Sequence, residues 1–122
     1  MKVEHFFSEF EQAANTTDFS QVEPFIDEDA IYWFSDGSFI GKSEIRSAFE
    51  QTWQTIKNEI YQMKDIEWLG ITEEIAVCVY HFHSNGEVDG HPFSAKGRGT
   101  NVFRQTNGEW KIIHEHLSRL PD

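Results

Sequence analysis

Six residues in the last third of the chain carry its densest chemistry: His81 and His83, spaced two apart around Phe82; His114 and His116, spaced two apart around Glu115; and Asn101 between them. Residues i and i+2 of a strand share a face, so each histidine pair can present two imidazoles to one ion, the donor type that zinc and iron accept. The two segments should flank a third, residues 92–105, and so stand about 9.6 Å apart, two strand spacings. Without strong curvature four rings do not converge on one ion, and no metal is expected. The other chemistry open to this set is proton transfer. A carboxylate and an imidazole that meet in an apolar cavity can share a proton and act as a general acid/base pair. Glu115 and His81 are therefore the candidate catalytic residues, with Asn101 as a donor able to orient a carbonyl. A structural Glu115 paired with Arg98 or Arg104 on the neighbouring strand is the competing assignment.

The rest of the composition narrows the field. At 122 residues the chain has room for one core and one site, so residues 1–122 read as a single domain. Ten Lys and Arg against 21 Asp and Glu give a formal net charge of -11. Phosphate backbones and anionic membrane surfaces would repel such a chain, which sets nucleic acid and membrane aside as partners. The opening MKVEHFFSEFEQ interleaves Glu4, His5 and Glu9 with its apolar residues and so forms no secretory leader, and no apolar run approaches a membrane span. The single cysteine, Cys78, lies between Val77 and Val79, which excludes an internal disulfide and reads as a small buried hydrophobe; a cytoplasmic location is expected. Gly97-Arg98-Gly99 lies inside a strand and leads into no helix, and no serine nucleophile elbow is present. Nucleotide and acyl-enzyme chemistry are disfavoured.

The elements that must position these residues follow from hydrophobic period. Val3, Phe6, Phe7, Phe10, Ala13 and Ala14 predict a helix over 3–15. Asp18 with Gln21 resembles a capping box and opens a short second helix through about Phe25, limited by Pro24. Ala30 to Phe34 and Phe39 to Ile40 read as strands paired through the Asp36-Gly37 turn. Ile45, Ala48, Phe49, Thr52, Trp53 and Ile56 give a third helix over 43–58. From Tyr61 the period becomes two, predicting strands over 61–69, 74–84, 92–105 and 109–118 joined by turns at 70–73, Asn85-Gly86 and Thr106-Asn107-Gly108. Helices followed by an antiparallel meander make an α+β domain. The strand over 74–84 is apolar on both faces, so both need covering; three short helices cover one, and a second subunit on a two-fold axis is expected on the other.

The element order, with "DFSQVEPFIDEDAIYW", "GKSEIRSAFE" and the closing "GRGTNVFRQTNGEWKIIHEHLS", resembles the SnoaL-like branch of the nuclear-transport-factor-2-like superfamily over nearly the whole chain. The resemblance implies three N-terminal helices packed on a strongly curved, mainly antiparallel sheet, a conical pocket between them, and a homodimer formed through the convex sheet face. That superfamily includes ketosteroid-isomerase-like enzymes, polyketide cyclases, small dehydratases and the association domain of calcium/calmodulin-dependent kinases. Set in register with the ketosteroid isomerases, the helix-one tyrosine falls at Phe10, the base near Phe34 and the second oxyanion acid near Asn101. Phenylalanine neither donates nor moves a proton, so ketosteroid isomerisation itself is not expected; a slip of one or two residues would bring Tyr32 or Asp36 to the base position. The resemblance also implies that His81 and His83 face the pocket. The last strand should send Ile113, Glu115 and Leu117 inward and His114 and His116 to the convex side, an order that a bulge would invert. The pocket expected is thus Tyr32, Phe34, Trp53, His81, His83, Asn101 and Glu115, with Gly97 and Gly99 bending the sheet and leaving room for a ligand. The function implied is binding of a small, largely apolar or carbonyl-bearing molecule, with isomerase, cyclase or dehydratase chemistry and no cofactor. The alternative is a non-catalytic association or ligand-binding domain like that of the kinases, whose tail is similar to "GEWKIIHEHLS" but carries arginines at the positions of Asn101 and Leu117.

Overall fold

A computed structural model describes residues 1–121. The first helix, α1 (Val3–Ala14), buries Val3, Phe6, Phe7, Phe10, Ala13 and Ala14 on a single stripe, as its 3.6-residue repeat requires. Its end is fixed by Asn15, whose Nδ2 donates to Glu11 O at 2.9 Å and to Tyr61 O at 2.8 Å, while its Oδ1 accepts from Tyr61 N at 2.7 Å. One side chain thus stops the helix and ties it to a strand. Asp18 caps α2 (Phe19–Val22) by accepting from Ser20 N at 2.9 Å, and Pro24 turns the chain through a 3-10 turn, Glu23–Phe25. The third helix, α3 (Gly41–Thr55), ends before residue 58 because Ile56 is already extended and Asn58 is left-handed.

The six strands are β1 (Ile26–Phe34), β2 (Gly37–Ile40), β3 (Lys57–Ile71), β4 (Ile75–Val88), β5 (His91–Thr106) and β6 (Glu109–Arg119), in the spatial order β2-β1-β6-β5-β4-β3. All pairs are antiparallel except β1 with β6. The domain is therefore α+β, with the helices on the inner face of a mostly antiparallel sheet. Strand β3 begins at Lys57 rather than at residue 61, and two further differences from the periodicity reading have a clear cause. Strand β1 begins at Ile26 rather than at residue 30, because the acidic Asp27-Glu28-Asp29 run beyond the reach of β2 masks a strand whose Ile26 and Ala30 are fully buried. Asn85-Gly86 does not turn the chain; it lies within β4, and the hairpin closes at Asp89 and Gly90, both at positive φ, as Asn107 and Gly108 are in the next hairpin.

The inner face of β4 carries Ala76, Cys78, Tyr80, Phe82 and Ser84, opposite Phe103, Asn101, Gly99, Gly97 and Ala95 of β5. Two aromatic rings therefore stand directly across from two glycines. A Cβ on Gly99 would run into the ring of Tyr80, and one on Gly97 into the ring of Phe82 and the carbonyl of Ser118. The space expected for a ligand at these glycines is taken by protein rings that lie across β5. Replacing Gly99 with alanine should destabilise the fold by about 1–3 kcal/mol through overpacking, whereas Gly70→Ala, where nothing lies within 4 Å, should stay within about 1 kcal/mol. Urea unfolding of both variants checks this.

Candidate functional site

Between α3, the inner face of the sheet and β2 lies a cavity of about 520 Å³, walled by Phe10, Phe34, Phe39, Phe49, Trp53, Tyr61, Phe82 and Leu117. Its charged lining residues are Asp36, Glu59, Glu115 and Arg119. The Glu115 side chain sits inward because β6 carries a bulge opposite Val102 and Phe103: Trp110 and Ile112 point into the core, Ile113 is the extra residue, and Glu115 and Leu117 resume the inward row. The expected inward Ile113 is thus replaced by Ile112, while Glu115 keeps its face and His114 and His116 lie on the other side.

Glu115 is 3% exposed, and its Oε1 accepts from Asn101 Nδ2 at 3.1 Å. The amide oxygen of Asn101, itself fully buried, accepts from Tyr80 Oη at 2.7 Å. The result is a line of three side chains across β4, β5 and β6, with Gly99 leaving the space for Tyr80 to reach its partner. Neither Arg98 nor Arg104 pairs with Glu115. Loss of water raises the Glu115 carboxyl to about 7 against the opposing pull of the Asn101 hydrogen bond. Such a group changes charge close to neutral pH in an apolar chamber, where general acid and base work is most effective. The same loss of water pushes up the phenols of Tyr32, Tyr61 and Tyr80, with the Glu115 charge adding to it, and pushes the Cys78 thiol up to about 12. Cys78 is thereby an inert core residue rather than a nucleophile.

Of the pocket residues expected from sequence, Phe34, Trp53 and Glu115 line the cavity. Tyr32 and Asn101 are fully buried beside it, Tyr32 opposite Glu115 on the adjoining strand with a hydroxyl that has no hydrogen-bond partner among the described residues. Asn101 spends its amide on Glu115 and Tyr80, so it positions the carboxylate instead of meeting a ligand. His81 and His83 are corrected outright. They occupy odd positions of β4, and the odd row faces away from the cavity. His81 opens instead into a recess of about 410 Å³ on the convex face with Asp65, Glu67, Arg98 and His116, its Nδ1 3.7 Å from Asp65 Oδ2. Among the described residues no three His, Cys, Asp or Glu side chains group as a metal set. Sequence reasoning passed over Tyr61, Tyr80, Ser84 and Glu59. The pairing of Tyr80 and Phe82 with Gly99 and Gly97 was the available signal, since bulky rings need glycine across the ladder.

A family model for the SnoaL-like domain matches residues 3–122. The chain belongs to this family. None of the curated proteins matches it. Among solved structures it is similar to a nuclear transport factor 2-like superfamily protein from Salmonella enterica serovar Typhimurium, at 16% identity and a TM-score of 0.89, covering 98% of this chain and 89% of that one. It is also similar to a Caulobacter vibrioides protein with a cystatin-like fold, at 21% identity and a TM-score of 0.82, covering 98% and 87%. A scytalone-dehydratase-like protein from Novosphingobium aromaticivorans matches at 11% identity and a TM-score of 0.84, covering 98% and 82%. At these identities the likeness establishes the fold. No helix among the described residues is long and apolar enough to cross a membrane.

Because the fold raises the Glu115 pKa, it favours the protonated carboxyl. The stability this contributes is complete below the ordinary value of 4.5 and is lost as pH rises through about 7. The difference amounts to about 3 kcal/mol by linkage. Thermal unfolding at pH 5 and pH 8 should therefore show a larger loss of stability for the native chain than for Glu115→Gln. Equal losses would mean that the carboxyl is not held in this environment.

Proposed function

We propose that the cavity binds a small, largely apolar carbonyl compound and that Glu115 moves a proton on it without a cofactor, in a reaction of the isomerase, cyclase or dehydratase kind. The observation that supports this most directly is the setting of Glu115: buried in an aromatic chamber, held at one oxygen by Asn101, and lining the cavity. As carboxylate it removes a proton from the carbon next to the substrate carbonyl. In this reading the phenol of Tyr61, which lines the same cavity and feels the Glu115 charge, donates to the enolate oxygen that forms. The protonated carboxyl then returns the proton at another carbon for isomerisation, or gives it to a β-hydroxyl that the enolate expels as water, or to the oxygen of a second carbonyl that the enolate attacks. Asn101 and Tyr80 act through Glu115 by fixing its orientation.

We further propose that two copies associate through the convex sheet face, where Ile31 is 39% and Trp33 46% exposed and the Trp33 ring stands edge-on to His114 and His116, at 5.0 and 5.5 Å between ring centres. Apolar rings rimmed by polar groups are the usual chemistry of a subunit contact. The buried free thiol of Cys78 suits a reducing compartment, and the cytoplasm is the location we propose.

Two measurements test these readings. Deuterium uptake from D2O into 2-tetralone should be accelerated by the native protein, with a rate that rises with pH around 7, and should fall by about 100-fold or more in Glu115→Gln; uptake indifferent to that substitution would remove Glu115 as the proton carrier. Sedimentation velocity should give twice the chain mass for the native protein and a monomer for Trp33→Glu. A native monomer at micromolar concentration would overturn the proposed contact.

A further inference from the structure

The cavity holds a second carboxyl that proton transfer at Glu115 does not use. Glu59, near the start of β3, lines the same space as Glu115. Its Oε2 accepts from Ser84 Oγ at 2.5 Å, and Ser84, on the inner row of β4, is 5% exposed. Glu59 Oε1 has no hydrogen-bond partner among the described residues. The carboxyl is therefore anchored on one side and open on the other. Burial raises its pKa as well, although less clearly than that of Glu115, with the Ser84 hydrogen bond opposing the rise.

The backbone around Glu59 is built for this placement. Between the pairs Lys57↔Glu87 and Ile60↔Asn85, β3 sets Asn58 and Glu59 opposite the single Gly86, one residue extra, with Asn58 left-handed at φ 55° and its Nδ2 donating to Glu87 Oε2 at 2.9 Å. Only glycine fits across from this bulge, since a Cβ on Gly86 would lie 2.7 Å from Lys57 O and 3.2 Å from the Glu59 Cα. The bulge lets the two backbones close up beneath the end of α3, so that Thr52, Thr55 and Ile56 border the cavity beside Glu59.

Glu59 also stands apart from Glu115 along the ladder. The ladder places Glu115 level with Asn101 and Cys78, whereas Ser84 stands six residues further along β4. That is about 20 Å of strand before curling shortens it. Tyr61, across the ladder from Ser84, and Phe82, two residues short of it, stack at 6.0 Å and line the same space.

Resting on the reading that Glu115 attends a carbonyl carbon acid, we infer that the Glu59–Ser84 pair is a second polar subsite, set apart from Glu115 along the sheet, that accepts a hydrogen bond from a ligand hydroxyl remote from the reacting carbon. A carboxylate oxygen held by a buried donor and left with an open acceptor side binds a hydroxyl by a charge-assisted bond. An analogue without that hydroxyl leaves the acceptor unpaired in an apolar chamber, which is the basis of strong discrimination.

The probes are 4-acetyl-4′-hydroxybiphenyl and its parent 4-acetylbiphenyl, with binding measured by calorimetry on the native protein, Glu59→Leu and Glu59→Gln, each checked by circular dichroism for a native fold. The native protein should bind the hydroxylated compound about tenfold or more tightly than the parent. Glu59→Leu should reduce that advantage to about twofold or less while changing affinity for the parent by no more than about threefold. Should the leucine variant fail to fold, Glu59→Gln, which keeps the shape and loses the charge, should lose most of the advantage. Equal affinity of the native protein for the two compounds overturns the subsite, and so does an advantage that survives at Glu59→Gln. Binding of the parent with the hydroxyl adding nothing would leave the Glu115 reading in place, whereas a cavity that takes up neither compound overturns both.

Discussion

Everything at the floor of the chamber depends on one amide. Asn101 lies on the middle of three adjacent strands and joins a phenol on one neighbour to a carboxyl on the other, with each of its two polar atoms engaged once. An amide in this place can do so because it is donor at one end and acceptor at the other, whereas an ionised carboxylate only accepts. The arrangement leaves Glu115 fixed in direction and short of solvation, and these two conditions together make a carboxyl useful as a proton carrier. The glycine at 99 belongs to the same device, since it gives up a side chain so that Tyr80 can lie flat over the ladder and reach the amide.

The aromatic content finds its use around this device. Phe7 alone packs against Phe10, Trp68, Tyr80 and Phe103, at ring separations of 5.0 to 6.1 Å, so α1 is locked to the sheet by interleaved rings instead of by aliphatic residues. Rings that meet edge to face hold their geometry better than flexible chains and leave a chamber with firm walls. The polar cargo of the interior is correspondingly small: Ser84, Asn101 and Glu115 are the buried polar and charged residues among those described, and all three sit on the cavity or next to it.

Much of this architecture was legible in the residues, for reasons that can be stated. The helices announced themselves by the spacing of Phe6, Phe7 and Phe10 and of Ile45 and Ala48, and the inward direction of Glu115 followed from alternation along the last strand. The face of His81 and His83 did not. Strand β4 carries apolar residues on both sides, Val77 and Val79 on one and Ala76 and Cys78 on the other, so period alone is silent on which row meets the core. The pairing with β5 decides it, and pairing is a long-range property. The bulge in β6 was equally hidden: one extra residue at Ile113 changes which of its neighbours point inward, and nothing in the local sequence marks it. The Asn85-Gly86 pair misled for a related reason, because two turn signals stood close together and the register favoured Asp89-Gly90, leaving Gly86 to face a bulge.

The position of β6 has a consequence for how the molecule is made. It is the last strand in chain order, yet it lies inside the sheet, between β1 and β5. A ribosome releases Ile26 and the residues that follow long before their partners Ile112 to His116 exist. Until then β1 and β2 form only a two-stranded ribbon beside an unfinished ladder, with Trp33 and Tyr32 in want of neighbours. The chamber closes only when β6 joins the β1 wall to the β4–β5 floor and brings Glu115 with it, and a nascent chain must keep its aromatic surfaces from misassociating until that moment.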